Sequence, residues 1–270
     1  MKICIDNFDS PDFEIFDINL VQKQVDGGQI DKSVIDTIQE YPDAESIIVS
    51  GLRQDTFEYF INRYGKQFRA ISLWKNKLIS DLSPLSSLTD VEYICIFFNQ
   101  RTDSLWDMSD NRKLTGLSIS DFSRLHNIEL IRTGKSLKAF SLYDRVEGKM
   151  EIDSLKPLCD TNISHFVWGG KKVVDNDFKC LSDSNISELD ISPSIFTIQE
   201  LAELNSCFPQ EMKGSITRPY VTGRVKDKDG YREYYYLCKG QKKCEKGKDD
   251  SRFNKYLEEY RDLLSAYRNK

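Results

Sequence analysis

The sequence predicts an α/β repeat solenoid: a curved parallel sheet on one side, short helices and turns on the other. Two observations carry that prediction and a third bounds it. Seven segments fit one template, apolar-x-x-apolar-x-apolar, with central residues Ile47, Ile71, Ile94, Leu117, Phe140, Phe166 and Leu189. Successive centres lie 24, 23, 23, 23, 26 and 23 residues apart, a period that belongs to stacked copies of one small unit. The 270 residues are 39% hydrophobic and 30% charged, which suits a repeat protein with a large wet surface, and no window approaches the roughly 18 unbroken apolar residues of a membrane span.

Taken in order, residues 1 to 43 are expected to cap the open N-terminal end, because a terminal unit of a stack otherwise shows apolar surface. Phe13-x-x-Phe16-x-Ile18 reads as a degenerate first unit, with Phe16 31 residues before Ile47. Asp31 is placed to cap a helix running through Tyr41, with Val34, Ile35, Ile38 and Tyr41 on one side. Thr56 to Tyr64 repeats that pattern with Phe57, Phe60, Ile61 and Tyr64, and Gly65 ends it. The opening Met1-Lys2-Ile3-Cys4-Ile5-Asp6 turns acidic by Asp9, so no export signal is expected there.

Residues 44 to 210 form the repeat domain. Its cleanest unit runs from Phe68 through Ile71, Leu73 and Asn76 to Leu78. The next runs from Val91 through Ile94 and Ile96 to Asn99. Alternate strand residues such as Ile71 and Leu73 point inward, and the Asn amide at the ninth position is suited to bonding backbone of neighbouring units. Elsewhere the ninth position holds Leu52, Phe122, Arg145, Lys171 and Ser194, so a ladder of two asparagines is expected. The long step before Phe166 predicts a bulge around Glu147-Gly148-Lys149, and Gly169-Gly170 a looser turn. Between the two clean units lies Ile79-Ser80-Asp81-Leu82-Ser83-Pro84-Leu85-Ser86-Ser87-Leu88-Thr89-Asp90. This stretch, with the strand motif L-x-x-L-x-L-x-x-N-x-L, resembles the leucine-rich repeat family, in particular its short internalin-like repeats. The likeness covers about residues 40 to 200. It implies a leucine-rich-repeat solenoid acting as a scaffold for protein–protein interaction.

Residues 211 to 270 form a different segment. A helix near Thr197 to Asn205 closes the repeats. Tyr220 to Val225 and Tyr231 to Lys239 are then placed to form a hairpin. A final helix from Ser251 to about Arg268 sets Phe253, Leu257, Tyr260, Leu264 and Tyr267 in one stripe. From Lys213 onward there are 16 Lys and Arg against 9 Asp and Glu, whereas residues 1 to 212 carry a net charge of −12.

No phosphate-cradling glycine loop, paired-carboxylate signature or HExxH motif appears, so the chain is read as a non-enzyme without cofactor. The seven cysteines are odd in number and lack zinc-ligand spacing, and only two histidines accompany them. Reduced thiols in a cytoplasmic protein and no metal site are therefore expected. Cys95 has no cation beside it in sequence and reads as inert. On the concave side, small residues such as Ser72, Ser118 and Ser141 lie between aromatic ones. Trp74, Tyr93, Phe97 and Tyr143, with His165, are the candidate residues for capturing a protein partner, because buried aromatics dominate binding energy. The competing reading has the aromatics merely covering neighbouring strands. Two further functions are weighed. An acidic body suits an inhibitor or immunity-type protein that neutralises a basic toxin. The basic hairpin, with Arg224, Arg232, Tyr235, Lys242 and Lys243, suits nucleic acid. Asp227, Asp229, Glu233 and Glu245 dilute that field, so a solvated hairpin is favoured over a nucleic-acid binder. Internalin-like proteins are exported to the bacterial surface, whereas here an intracellular partner is expected.

Overall fold

The computed structural model describes residues 15–22, 29–144, 146–228 and 230–269. The chain divides into two compact units, Met1–Asn185 and Ile186–Lys270. That division leaves the last template segment, around Leu189, with the second unit.

The first unit is built on seven parallel strands that follow one another across a sheet. They are β1 (Ile18–Leu20), β2 (Ser46–Val49), β3 (Ala70–Trp74), β4 (Tyr93–Asn99), β5 (Gly116–Phe122), β6 (Ala139–Tyr143) and, beyond the two-residue β7 (Glu151–Ile152), β8 (His165–Gly169). The register puts Ile18, Ile47, Ile71, Ile94, Leu117, Phe140 and Phe166 in one continuous row. All seven are buried. A second inward row follows two residues later, from Val49 through Leu73, Ile96, Ile119 and Leu142 to Trp168. The side-chain period of two makes these rows a consequence of the template.

The return segments close the core from the other side. Helix α1 (Lys32–Ile35) and a 3-10 turn carry Ile35 and Ile38, and α2 (Gln54–Arg63) carries Phe57, Phe60 and Ile61. Later units replace the helix with five-residue 3-10 turns, each burying an apolar residue: Leu85, Ile131, Leu158 and Leu181. The short β7 and β9 (Lys172–Val173) pair in parallel as a separate ribbon.

Three N-terminal expectations are corrected. The first strand is centred on Ile18, 29 residues before Ile47, and not on Phe16. Ile15-x-x-Ile18-x-Leu20 fits the same template two residues further on, and Phe16 is only half-buried. Phe13 lies outside the described residues. The helix beginning after Asp31 is short and tightens into a 3-10 turn, Asp31 makes no side-chain cap, and Tyr41 is 51% exposed and Val34 38%. Gly65 does end α2, but by starting a 3-10 turn. A Cβ there would sit 2.8 Å from Leu88 Cδ2.

The turns after β2, β3, β4 and β5 have a common form. Gly51, Lys75, Phe98 and Asp121 occupy the eighth template position and all have positive φ, from 52° to 76°. A left-handed residue there reverses the chain and turns the ninth side chain inward. Asn76 and Asn99 then meet backbone as expected. Asn76 Nδ2 donates to Val49 O at 3.0 Å and its Oδ1 accepts Leu52 N–H at 2.8 Å. Asn99 Nδ2 donates to Asn76 O at 3.2 Å and Ile79 O at 2.9 Å, while Oδ1 accepts from Arg101 and Thr102, both at 2.9 Å. Leu52 and Phe122 fill the same inward position with hydrocarbon. A further asparagine was not singled out from sequence. Asn111 donates to Leu85 O and Leu88 O and accepts from the buried Trp106 Nε1 at 2.8 Å.

The second unit contains β10 (Glu188–Ile191), α3 (Ile198–Cys207), a sheet of β11 (Tyr220–Asp227), β12 (Gly230–Leu237) and β13 (Cys244–Glu245), and α4 (Asp250–Arg268). Thr197 and Glu200 form a reciprocal capping box at the start of α3. One edge of β10 is covered by the chain around Gly214, where Leu189 N–H bonds Lys213 O at 2.9 Å. Gly214 has φ +97°, and a Cβ would lie 2.3 Å from Leu189 O, so only glycine fits. The expected stripe of α4 is corrected in part: Phe253, Tyr256 and Tyr260 are its buried residues, whereas Leu257 and Leu264 are half-exposed. Tyr256 Oη donates to Pro219 O at 2.7 Å and accepts Cys238 N–H at 3.2 Å, and Tyr260 Oη meets Asn205 at 2.8 Å.

Candidate partner-binding face

In the first unit the third, fifth and seventh template positions face away from the core. The rows read Ala70, Tyr93, Gly116, Ala139, His165, then Ser72, Cys95, Ser118, Ser141, Val167, then Trp74, Phe97, Ser120, Tyr143, Gly169. All five candidate residues therefore share one face. Trp74 and Tyr143 stand three strands apart, about 14 Å along the sheet.

The rings are held in place by small neighbours. Trp74 stacks on Phe97 at 4.1 Å between centroids and 27° between planes. Phe97 is buried beneath it and also touches Phe98 at 5.9 Å. Tyr93 packs against Gly116, where a Cβ would come within 2.7 Å of its ring. Tyr143 packs against Gly169 in the same way, and Trp168 against Gly170. The glycine pair after β8 is therefore explained by room for two rings. Each ring covers the next strand and yet Trp74, Tyr93 and Tyr143 remain half-buried, with part of each ring open to solvent. His165 is half-exposed at the end of the first row.

Between the rings the floor is closed. Ser72, Ser118, Ser120 and Ser141 are only 1–3% exposed, and Cys95 is buried with Ala70 against Tyr93. The Ser118 and Ser120 hydroxyls meet no hydrogen-bond partner among the described residues. The small residues between the aromatic ones are thus the floor of this face. The face offers aromatic edges over a sealed floor.

Cations fringe the tryptophan end. Lys75 Nζ lies 5.8 Å from the Trp74 ring centroid and Lys77 Nζ 5.1 Å from that of Phe98. At the other end, the loop that stretches the repeat is organised by two carboxyls. Asp121 Oδ1 accepts Val146 N–H at 2.7 Å and Glu147 N–H at 3.3 Å. Asp144 accepts N–H bonds from Gly148 at 2.8 Å and Met150 at 2.6 Å, and another from Lys149. Asp121 and Asp144 also act on each other electrostatically. Burial pushes the Asp121 carboxyl up, and the Asp144 carboxylate adds to that. For Asp144, burial is outweighed by the N–H bonds from Met150, Gly148 and Lys149 and by the Asp121 carboxyl, so it sits below the usual range. The loop carries the expected extra residues around Glu147-Gly148-Lys149, and Arg145 lies outside the described residues.

The hairpin residues of the second unit are occupied otherwise. Arg224 and Lys246 both pair with Glu233, at 2.8 and 2.7 Å, and Arg232 approaches Glu245 at 3.5 Å. Lys246 and Arg224 hold Glu233 below its usual pKa. The Tyr235 ring lies flat on Phe253, 3.9 Å away at 3°, with Tyr220 edge-on at 5.3 Å. One face of the ring is thereby covered by Phe253. Lys243 sits over the Tyr234 ring at 4.0 Å and Lys242 is exposed.

No family model matches the chain, and no curated protein matches it. Among solved structures, the crystal structure of an internalin (inlF) from Listeria monocytogenes str. 4b F2365 is similar at a TM-score of 0.42, with 19% identity. The match covers 67% of this chain and 50% of that one, so the chain spans half the length of that structure. The first unit itself has the architecture of a leucine-rich-repeat solenoid. Its consecutive strands, inward rows and Asn-bonded turns carry that assignment. Among the described residues no helix is long and apolar enough to cross a membrane.

Proposed function

We propose that the chain is a non-enzymatic protein-binding module. Its macromolecular partner docks on the aromatic face of the first unit, through Trp74, Tyr93, Tyr143 and His165, with Phe97 as the support beneath Trp74. The observation that carries this reading is that three large rings pack on Phe97, Gly116 and Gly169 while the residues bearing them are only partly buried. A ring fixed beforehand loses little entropy on binding, and that is how anchors gain affinity. The lysines beside Trp74 and Phe98 favour a partner presenting carboxylates at that end, which speaks against a basic toxin on this face. The paired cations and stacked Tyr235 of the hairpin speak against nucleic acid. The reading keeps the cytoplasmic setting expected from the thiols.

The test is Trp74→Ala combined with Tyr143→Ala in the full chain. Each ring is worth about 2 kcal/mol, roughly thirtyfold in Kd. Quantitative capture from the source cell should lose the partner while circular dichroism stays unchanged. Recovery of the same proteins in the same amounts by the folded double variant would reject this face.

A further inference from the structure

Two cysteines on the return side of the first unit meet across successive repeats. Cys159 belongs to the 3-10 turn Lys156–Asp160 and Cys180 to the next one, Lys179–Asp183. The two turns pack on each other. Cys159 Sγ lies 3.1 Å from the carbonyl oxygen of Cys180, and Cys180 Sγ bonds Asp177 O at 3.0 Å. The Cys159 sulfur thus reaches the backbone of Cys180 itself, and each thiol perturbs the ionisation of the other. Both residues are half-exposed, whereas Cys95, Cys238 and Cys244 are buried. A disulfide needs close sulfurs, an entry path for oxidant and backbone positions compatible with the bridge. Two adjoining turns of one solenoid supply the first two directly.

We infer that Cys159 and Cys180 are a modification site: a dithiol that oxidises to a disulfide stapling two successive repeats. The oxidant is a small organic disulfide. The Cys159 thiolate attacks one sulfur of that molecule, forming a mixed disulfide and releasing one thiolate. The Cys180 thiolate then attacks Cys159 Sγ and expels the second thiolate. The two protons lost by the cysteines end on the two small thiols, so two thiols and one disulfide are exchanged for one disulfide and two thiols.

The surroundings set the rate. Burial pushes the Cys180 thiol up to about 12, with Cys159 and Asp177 adding to it. Burial raises Cys159 as well, while its hydrogen bond to Cys180 and the charge of Arg132 oppose that rise. Cys159 is therefore the first nucleophile, and the reaction is slow at neutral pH. Asp175, Asp177 and Asp183 outnumber the cations around the thiols, Arg132 and the Lys156 that pairs with Asp175 at 4.0 Å and Asp177 at 3.4 Å, so a neutral oxidant should outpace an anionic one. Staple formation shortens the unfolded chain by a 21-residue loop, which raises thermal stability if the bridge is unstrained.

The full chain carrying Cys207→Ser, so that the tryptic peptide holding Cys180 has a single cysteine, is incubated natively with 2-hydroxyethyl disulfide at mildly alkaline pH and digested without reductant. The expected result is a linked pair of peptides holding Cys159 and Cys180 as the main oxidised product. It should form more slowly with oxidised glutathione and disappear on adding dithiothreitol. The oxidised protein should melt at a higher temperature than the reduced one. Under saturating oxidant, two separate mixed disulfides, two unmodified thiols, or linkage appearing only in urea would each overturn the proposal. A linked protein that melts lower would overturn the staple.

Discussion

Replacing Asn99 by leucine tests whether the turns between repeats are held by side-chain amides. The wild-type amide makes four bonds, to Asn76 O, Ile79 O, Arg101 N and Thr102 N, and is 1% exposed. Leucine fills the same volume but bonds nothing. Ile79 O keeps the Thr102 hydroxyl at 3.1 Å, and Arg101 is exposed, so water can serve its N–H. Thr102 N–H, buried, is left bare at about 1–3 kcal/mol, and Asn76 O, which keeps only the long bond from Ile79 N–H at 3.5 Å, loses about 1 kcal/mol. The added hydrocarbon returns about 1 kcal/mol. The net loss is about 2 kcal/mol, read as a fall of about 0.7 M in the urea midpoint for a slope near 3 kcal/mol/M. Asn99→Asp should be no better, because its carboxylate faces two carbonyls. A shift below about 0.3 M for Asn99→Leu, with an unchanged slope, would refute the argument. It would mean that the turn relaxes to water as readily as the Phe122 turn does without an amide.

The Asp121–Asp144 pair makes stability depend on pH in both directions. Asp121 is raised in the fold, so its contribution is complete at low pH and is lost as pH climbs through its folded value; Asp144 is lowered, so its contribution is lost as pH falls through its own. Glu147, held by Lys149 Nζ at 3.0 Å and Gln100 at 2.9 Å, supplies the other charge in the loop. Asp121→Asn keeps an acceptor for Val146 and Glu147 and gives Asp144 a permanent donor. Urea midpoints from pH 4 to 9 should then lose the part of the decline with rising pH that Asp121 supplies, and a parallel curve for the variant would dismiss the coupling of the two carboxyls. In the second unit, Tyr256→Phe removes the donor to Pro219 O and the acceptor of Cys238 N–H. A loss of about 1–3 kcal/mol is expected in chemical denaturation, and a neutral result would show that water replaces both bonds.

Much of the repeat fold follows from the chain alone. Apolar residues at fixed spacing permit one inward side per strand, and a period of 23 forces neighbours to align, so the row from Ile47 to Phe166 needed no tertiary information. Asn76 and Asn99 were legible for the same reason, since an amide at a fixed step after a strand has one use. Two overlapping frames, Phe13-x-x-Phe16-x-Ile18 and Ile15-x-x-Ile18-x-Leu20, fit the template equally well, and only pairing with Ile47 decides for the second. The five face residues could be placed on one side from the alternation, but alternation says nothing about depth. Whether Ser118 is floor or surface depends on how far a ring from the next strand reaches, and that is a matter of packing. The same holds for Asp121 with Asp144 and Cys159 with Cys180. Each pair lies more than twenty residues apart in sequence and meets because the stack advances by one repeat. Sequence periodicity set the rungs, and the contacts between rungs belong to the tertiary structure, because they depend on side-chain length and angle, which a repeat pattern does not encode.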